Sequence, residues 1–162
     1  MAISSAIRER LEMQGFCNLD DARLAEAEPW LRFTPALCAT IVAVGTVLSS
    51  EWLLFALVPF AALGAVLPLH PFDLLYNLGI RRITGTRPLP SNGAPRRFAC
   101  GIAAVWITVT AASFAWGQAA LGYALGGAMV AVASLVATTH FCIPSFIYRS
   151  VFGWDLPAST AP

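Results

Sequence analysis

From Phe98 to Tyr148 the chain runs for 51 residues without a single Arg, Lys, Asp or Glu. No soluble fold of this size tolerates that, because surface positions recur every few residues and charged side chains fill about a quarter of an average domain. Lipid does tolerate it. A helix crosses the hydrocarbon with about 20 apolar residues, so the stretch holds two crossings, with Gly117-Gln118 as the hinge between them. Two shorter charge-free runs precede it. Phe33 to Ser50 gives 18 residues between Arg32 and Glu51, and Trp52 to Phe72 gives 21 between Glu51 and Asp73. A charge at the bilayer centre costs about 2.5–3.5 kcal/mol on insertion scales, so these charges mark span ends. Four transmembrane helices are predicted near 33–49, 52–69, 97–116 and 119–139. The runs are apolar on every face and never alternate, which excludes β-barrel strands.

Composition agrees with an all-α integral membrane protein. Of 162 residues 57% are hydrophobic and 12% charged, and the mean hydropathy is +0.68. A formal charge of +1 excludes a nucleic-acid-binding surface, which needs a basic excess. Four cysteines without paired spacing do not form a disulfide scaffold.

Residues 1–31 are polar and acidic, with Glu9, Glu12, Asp20, Asp21, Glu26 and Glu28 against Arg8, Arg10 and Arg23. They read as a cytoplasmic N-terminal segment of two short helices and not as a cleavable leader. Asn18 is placed to cap the second helix, Asp20 and Asp21 suit its positive first turn, and Pro29 is expected to stop it. Residues 32–152 form the membrane domain and 153–162 a C-terminal tail.

All ten cations are arginine, and they fall before span one, between spans two and three, and after span four. With four crossings those regions share one side. The positive-inside rule therefore puts both termini and the central loop in the cytoplasm of a multi-pass membrane protein.

The external connections are short, so the spans are expected as two tight hairpins, each packed antiparallel along its length. Gly122 and Gly126 lie four apart on span four, beside a second small stripe of Ala120, Ala124 and Ala128. Such spacing lets helix backbones approach closely in lipid, and use inside the bundle is preferred to use by a second protein. Pro59 and Pro68 are expected to kink or end span two. Trp52, Trp106, Trp116, Trp154 and Tyr148 suit interface anchoring. His70 to Arg82 reads as a short interfacial helix, with Phe72, Leu75, Tyr76, Leu78 and Ile80 toward lipid. Arg81, Arg82, Arg96, Arg97 and Trp154 meet the lipid interface there. Gly85 to Pro95 is turn-rich.

No Walker loop, dinucleotide fingerprint, zinc-protease helix or nucleophile elbow occurs, and no cofactor is expected. One constellation has chemical potential. Cys38, His70, Cys100, His140 and Cys142 all map to the arginine-rich ends of the predicted spans. Cys38, His70, Cys100 and Cys142 are weak candidates for a zinc or copper site, although buried cysteine more often serves as a small hydrophobe. Cys142-Ile143-Pro144-Ser145 is half of a dithiol motif; its single thiol, with His140 near, is the candidate nucleophile.

At His70-Pro71-Phe72, Arg96-Arg97-Phe98-Ala99 and Phe141-Cys142-Ile143-Pro144-Ser145-Phe146-Ile147-Tyr148 the chain resembles a bacterial membrane family catalogued as domain of unknown function 4395. The resemblance covers roughly residues 30–152. Many relatives carry Cys-x-x-Cys at the final motif and some are encoded beside thioredoxin-like or sulfurtransferase proteins, which implies thiol or sulfur handling. Here only Cys142 carries that implication, because Ser145 departs from the dithiol pattern. The expected function is a non-catalytic accessory or scaffold subunit of a larger membrane complex. Its partners are the lipid bilayer and other membrane subunits or further copies of the chain. The alternative is a thiol-redox or sulfur-relay protein acting through Cys142.

Overall fold

The computed structural model describes residues 3–17 and 19–153, and every regular element in them is helical. Two short helices, α1 (Ser5–Met13) and α2 (Asp21–Leu31), lead into α3 (Phe33–Val47) and α4 (Glu51–Val66). A bent segment follows, made of α5 (Pro71–Leu75), a π-helical turn at Tyr76–Ile80 and α6 (Arg81–Thr84). The chain ends with α7 (Ala94–Ala115), α8 (Ala119–Thr139) and α9 (Ile143–Phe152).

Among the described residues, three helices are long and apolar enough to cross a membrane: Asp21–Val47, Ala94–Ala115 and Ala119–Thr139. A fourth arises if α4 and the Pro71–Thr84 segment, which meet at 88°, count as one broken span. Charge spacing thus located the long helices well. The Trp116–Gln118 break falls at the expected hinge, with Gly117 at φ +72°. Span two is shorter than the charges allowed. Its helix stops at Val66, because Leu67 turns extended before Pro68, as a residue preceding proline does. Pro59 lies inside α4 without ending it.

Pro29 does not stop α2 either. The helix continues past it to Leu31, and a single turn residue, Arg32, joins it to α3, so Asp21–Val47 forms one 27-residue helix. A proline inside a helix forfeits one backbone bond. Burial of Leu24, Ala27 and Leu31 on one face offsets that loss. The cap of α2 is Asp20, whose side chain accepts from the Arg23 amide at 2.8 Å. Asn18, expected in that role, lies outside the described residues, as does Trp154.

The four bundle helices do not pair chiefly as sequential hairpins. The most extensive packing is α4 on α7 and α3 on α8, whereas α3 touches α4 much less. Val42, Leu54, Leu57, Ala61, Ala104, Ile107, Ala111 and Met129 form the core between them. Close approach needs two glycines. A β-carbon at Gly122 would stand 2.6 Å from the Phe114 ring, and one at Gly126 would stand 2.2 Å from Thr46 Oγ1. The expected small seam is therefore half internal: Gly122 and Gly126 face inward, while Ala120, Ala124 and Ala128 are exposed. Trp106 bridges α7 to α8 by donating to the Leu125 carbonyl at 3.0 Å, so it is an interior tie and not an interface anchor. Trp52 and Trp116 stand exposed at the end that carries the short connections.

A second core sits at the opposite, arginine-rich end. Leu11, Phe16, Leu24, Ala27, Leu31, Tyr76 and Leu89 close it, joining the N-terminal helices to the π-helical turn. The helices α1 and α2 and the bundle are thus two layers of one packed unit.

Candidate functional site

Hydrogen-bonding groups buried away from water must find partners, and the arginine-rich end holds two such networks. The first surrounds Asp73, in the first turn of α5 and only 1% exposed. Its Oδ1 accepts from Thr34 Oγ1 at 2.6 Å. Its Oδ2 accepts from Asn92 Nδ2 at 3.1 Å and from the His70 amide at 3.3 Å. Arg96 completes the set, its Nη2 at 3.9 Å from Oδ1 and its guanidinium 5.4 Å from the centre of the Phe16 ring. Four separate segments therefore converge on one carboxyl group: the start of α3, the His70 turn, the loop before α7 and α7 itself. Among the described residues, Arg96 Nη1 and Asn92 Oδ1 have no hydrogen-bond partner.

His70 caps α5, its Nδ1 accepting from the Phe72 amide at 3.2 Å. Burial pushes the imidazole down to about 4, against the pull of nearby Asp73. The ring is neutral at pH 7, and because Nδ1 is an acceptor the proton sits on Nε2. It packs so closely on α4 that a β-carbon at Gly64 would fall 2.2 Å from its Cδ2.

The second network caps helix ends. The last carbonyls of a helix lack partners and carry partial negative charge, and arginine forks meet them here. Arg32 Nη1 donates to the Thr138 and Ala137 carbonyls of α8 at 2.7 and 3.3 Å, while its Nε holds Glu28 at 2.9 Å. Arg10 reaches the Thr139 carbonyl at 2.8 Å, and Gln14 Nε2 the His140 carbonyl at 2.7 Å. Arg97 donates to the Ala65 and Val66 carbonyls that end α4, at 3.0 and 2.6 Å. Arg149 does the same for α1, through the Glu12 and Met13 carbonyls at 3.0 and 3.4 Å, and also meets Cys17 Sγ.

Of the arginines expected at the lipid interface, Arg96 is thus buried on Asp73 and Arg97 ties α7 to α4. Arg81 and Arg82 remain at the surface, in the bent segment whose Leu74, Leu75, Leu78 and Ile83 are exposed. Tyr76, expected toward lipid, is fully buried and contacts Trp30 ring to ring at 4.8 Å.

His140 is engaged by Glu28 of α2. It terminates α8 in the left-handed conformation, φ +59°, and its Nε2 meets Glu28 Oε1 at 2.7 Å. Burial lowers its pKa, partly countered by that carboxyl group. Cys142 is the N-cap residue of α9 and 6% exposed. Ser145, the residue replacing a second thiol, is fully buried and donates to the Pro95 carbonyl at 3.2 Å, tying α9 to α7.

Cys100 lies within electrostatic reach of Cys38, Cys142, Asp73 and Arg96. All four cysteines are free thiols. Among the described residues, no three His, Cys, Asp or Glu side chains are grouped to hold a metal ion. Sequence reasoning missed Asp73, Asn92, Thr34 and Glu28 as site members. The run His70-Pro71-Phe72-Asp73, a helix-start pattern with its acid at the third helical position, was the one available signal.

A family model described as "Domain of unknown function (DUF4395)" matches residues 27–152. No curated protein and no solved structure matches the chain.

Proposed function

The chain belongs to the DUF4395 family, and from that premise we propose that it is a non-catalytic accessory or scaffold subunit of a larger complex in the bacterial cytoplasmic membrane. In this reading α3, α4, α7 and α8 each cross the bilayer, with α2 prolonging the first crossing. The apolar exterior supports insertion. Val47, Trp52, Val66, Val105 and Trp116 are all more than three-fifths exposed, and water would penalise each. The location of all ten arginines at one end supports cytoplasmic termini, and Arg81 and Arg82 beside exposed leucines suit anionic headgroups.

The observation that carries the scaffold reading is the outer face of α8. This helix is the least covered of the long three, with 17% of its apolar window buried. Its outward residues include Ala120, Ala124, Gly127 and Ala128, which the internal packing does not use. Small residues facing lipid leave room for a partner helix to approach backbone to backbone. Mild solubilisation of the tagged protein, followed by mass spectrometry, should retain a stoichiometric membrane partner, and Ala124→Leu should release it. Recovery of the lone chain from wild type overturns the reading.

The thiol alternative is favoured by the place of Cys142 at the N-terminus of α9, where a helix favours a thiolate. It requires Cys142 to react, so resistance of the folded protein to alkylation at neutral pH removes it.

A further inference from the structure

A groove of about 500 Å³ opens on the outside of the bundle between α4 and α7. Its wall is Ala65 on one side and Phe98, Gly101, Ile102 and Val105 on the other, and Arg97 stands at its mouth. The wall residues of α7 recur every three to four positions, so they form one stripe along the helix. From Arg97 to Val105 the stripe rises about 12 Å, most of the roughly 15 Å depth of one leaflet's hydrocarbon. Two bonds, to the Ala65 and Val66 carbonyls, fix the Arg97 guanidinium. Its Nη1 carries no hydrogen bond among the described residues, and no carboxyl group pairs with it.

We infer that this groove binds one anionic phospholipid of the inner leaflet, an acyl chain lying along Gly101 and the phosphate on Arg97. The inference rests on the membrane reading above. A preoriented guanidinium with its Nη1 free and no carboxyl group paired to it suits a phosphate, and an open apolar groove one leaflet deep suits a single chain. Gly101 keeps the channel open. A β-carbon there would stand 3.7 Å from that of Ala65, an ordinary contact, so Gly101→Leu is accommodated by the backbone while its side chain fills the groove.

The test is native mass spectrometry of detergent-purified protein titrated with phosphatidylglycerol or phosphatidylcholine. Wild type should retain one phosphatidylglycerol where phosphatidylcholine is lost. Gly101→Leu and Arg97→Gln should both fall to background. Because Arg97 also closes the end of α4, the Gly101 variant decides if Arg97→Gln misfolds. Equal retention of the two lipids, or retention by Gly101→Leu as in wild type, overturns the inference. So does displacement of the lipid by millimolar inorganic phosphate, which would mark a free-anion site. Alkaline extraction of membranes checks insertion separately, so a membrane-resident protein with no lipid preference refutes this site alone.

Discussion

Replacing Gly126 with alanine tests how the bundle is held together. The new β-carbon would lie 2.2 Å from Thr46 Oγ1, 2.6 Å from Cγ2 and 2.9 Å from Cβ. Rotation about χ1 moves the first two atoms away. It cannot move the third, which is fixed to the backbone of α3. Carbon atoms in contact sit about 3.5–4.0 Å apart, so α3 and α8 must separate by roughly 0.6–1.1 Å along their contact. Overpacking of this kind costs about 1–3 kcal/mol. The Gly→Ala change returns about 1 kcal/mol of helix propensity, which leaves a net loss of about 0–2 kcal/mol. Gly127, one residue on, meets nothing within 4 Å, so Gly127→Ala should be neutral or slightly stabilising. Equilibrium unfolding in mixed micelles, followed by circular dichroism, measures both. Thr46→Gly combined with Gly126→Ala removes the obstructing atom and should show a coupling that restores part of the loss. Equal stability of the Gly126 and Gly127 variants would refute the account of α3–α8 packing.

Three further outcomes are expected. Gly64→Ala drives a β-carbon into the His70 ring, which is 2% exposed and has nowhere to retreat, so a loss of about 1–3 kcal/mol should appear in the same assay. Acid should destabilise the fold through His70 and His140, both held below the ordinary histidine value. The unfolded chain takes up protons as pH falls through about 6.5 while the folded chain does not, so stability is complete above that pH and declines toward about 4; a flat profile from pH 7 to 4.5 contradicts it. Arg32→Lys keeps the charge and loses the fork that spans Glu28 and two carbonyls of α8. It should cost about 1–2 kcal/mol and speed proteolysis of the N-terminal helices, whereas Arg82→Lys should change neither.

The long helices were legible because charge-free runs lie between Arg32 and Glu51, between Glu51 and Asp73, and between Arg97 and Arg149, and α3, α4, α7 and α8 lie largely within them. The Gly117 break was legible because a 51-residue run is too long for one crossing. The end of α2 was not. A proline removes one backbone bond, and the apolar face of Leu24, Ala27 and Leu31 outweighs it, which only tertiary packing reveals. The pairing of α4 with α7 was hidden for a related reason. Short connections show which helices are consecutive, but glycine positions and side-chain shape decide which lie closest. The Asp73 network was invisible as a network: Thr34, Asp73, Asn92 and Arg96 are brought together by the fold and share no spacing.

The arginines explain why the topology signal and the stability of the arginine-rich end coincide. Where α4 and α8 end, their last carbonyls present partial negative charge without partners. Each of these ends lies at the same face of the bundle, because two helices must return there. A cation on that face therefore meets unpartnered carbonyls as well as any anionic surface. Arg97 closes α4, and Arg10 and Arg32 close α8. Arg149, reaching back to α1, locks the layer that covers them. A lysine offers a point charge and would satisfy an orientation rule equally well. It would not span two carbonyls, or a carbonyl and a carboxyl group, from one fixed plane. The absence of lysine from the whole chain is compatible with base composition alone, but at positions 32, 97 and 149 the forked geometry gives arginine a structural reason to be there.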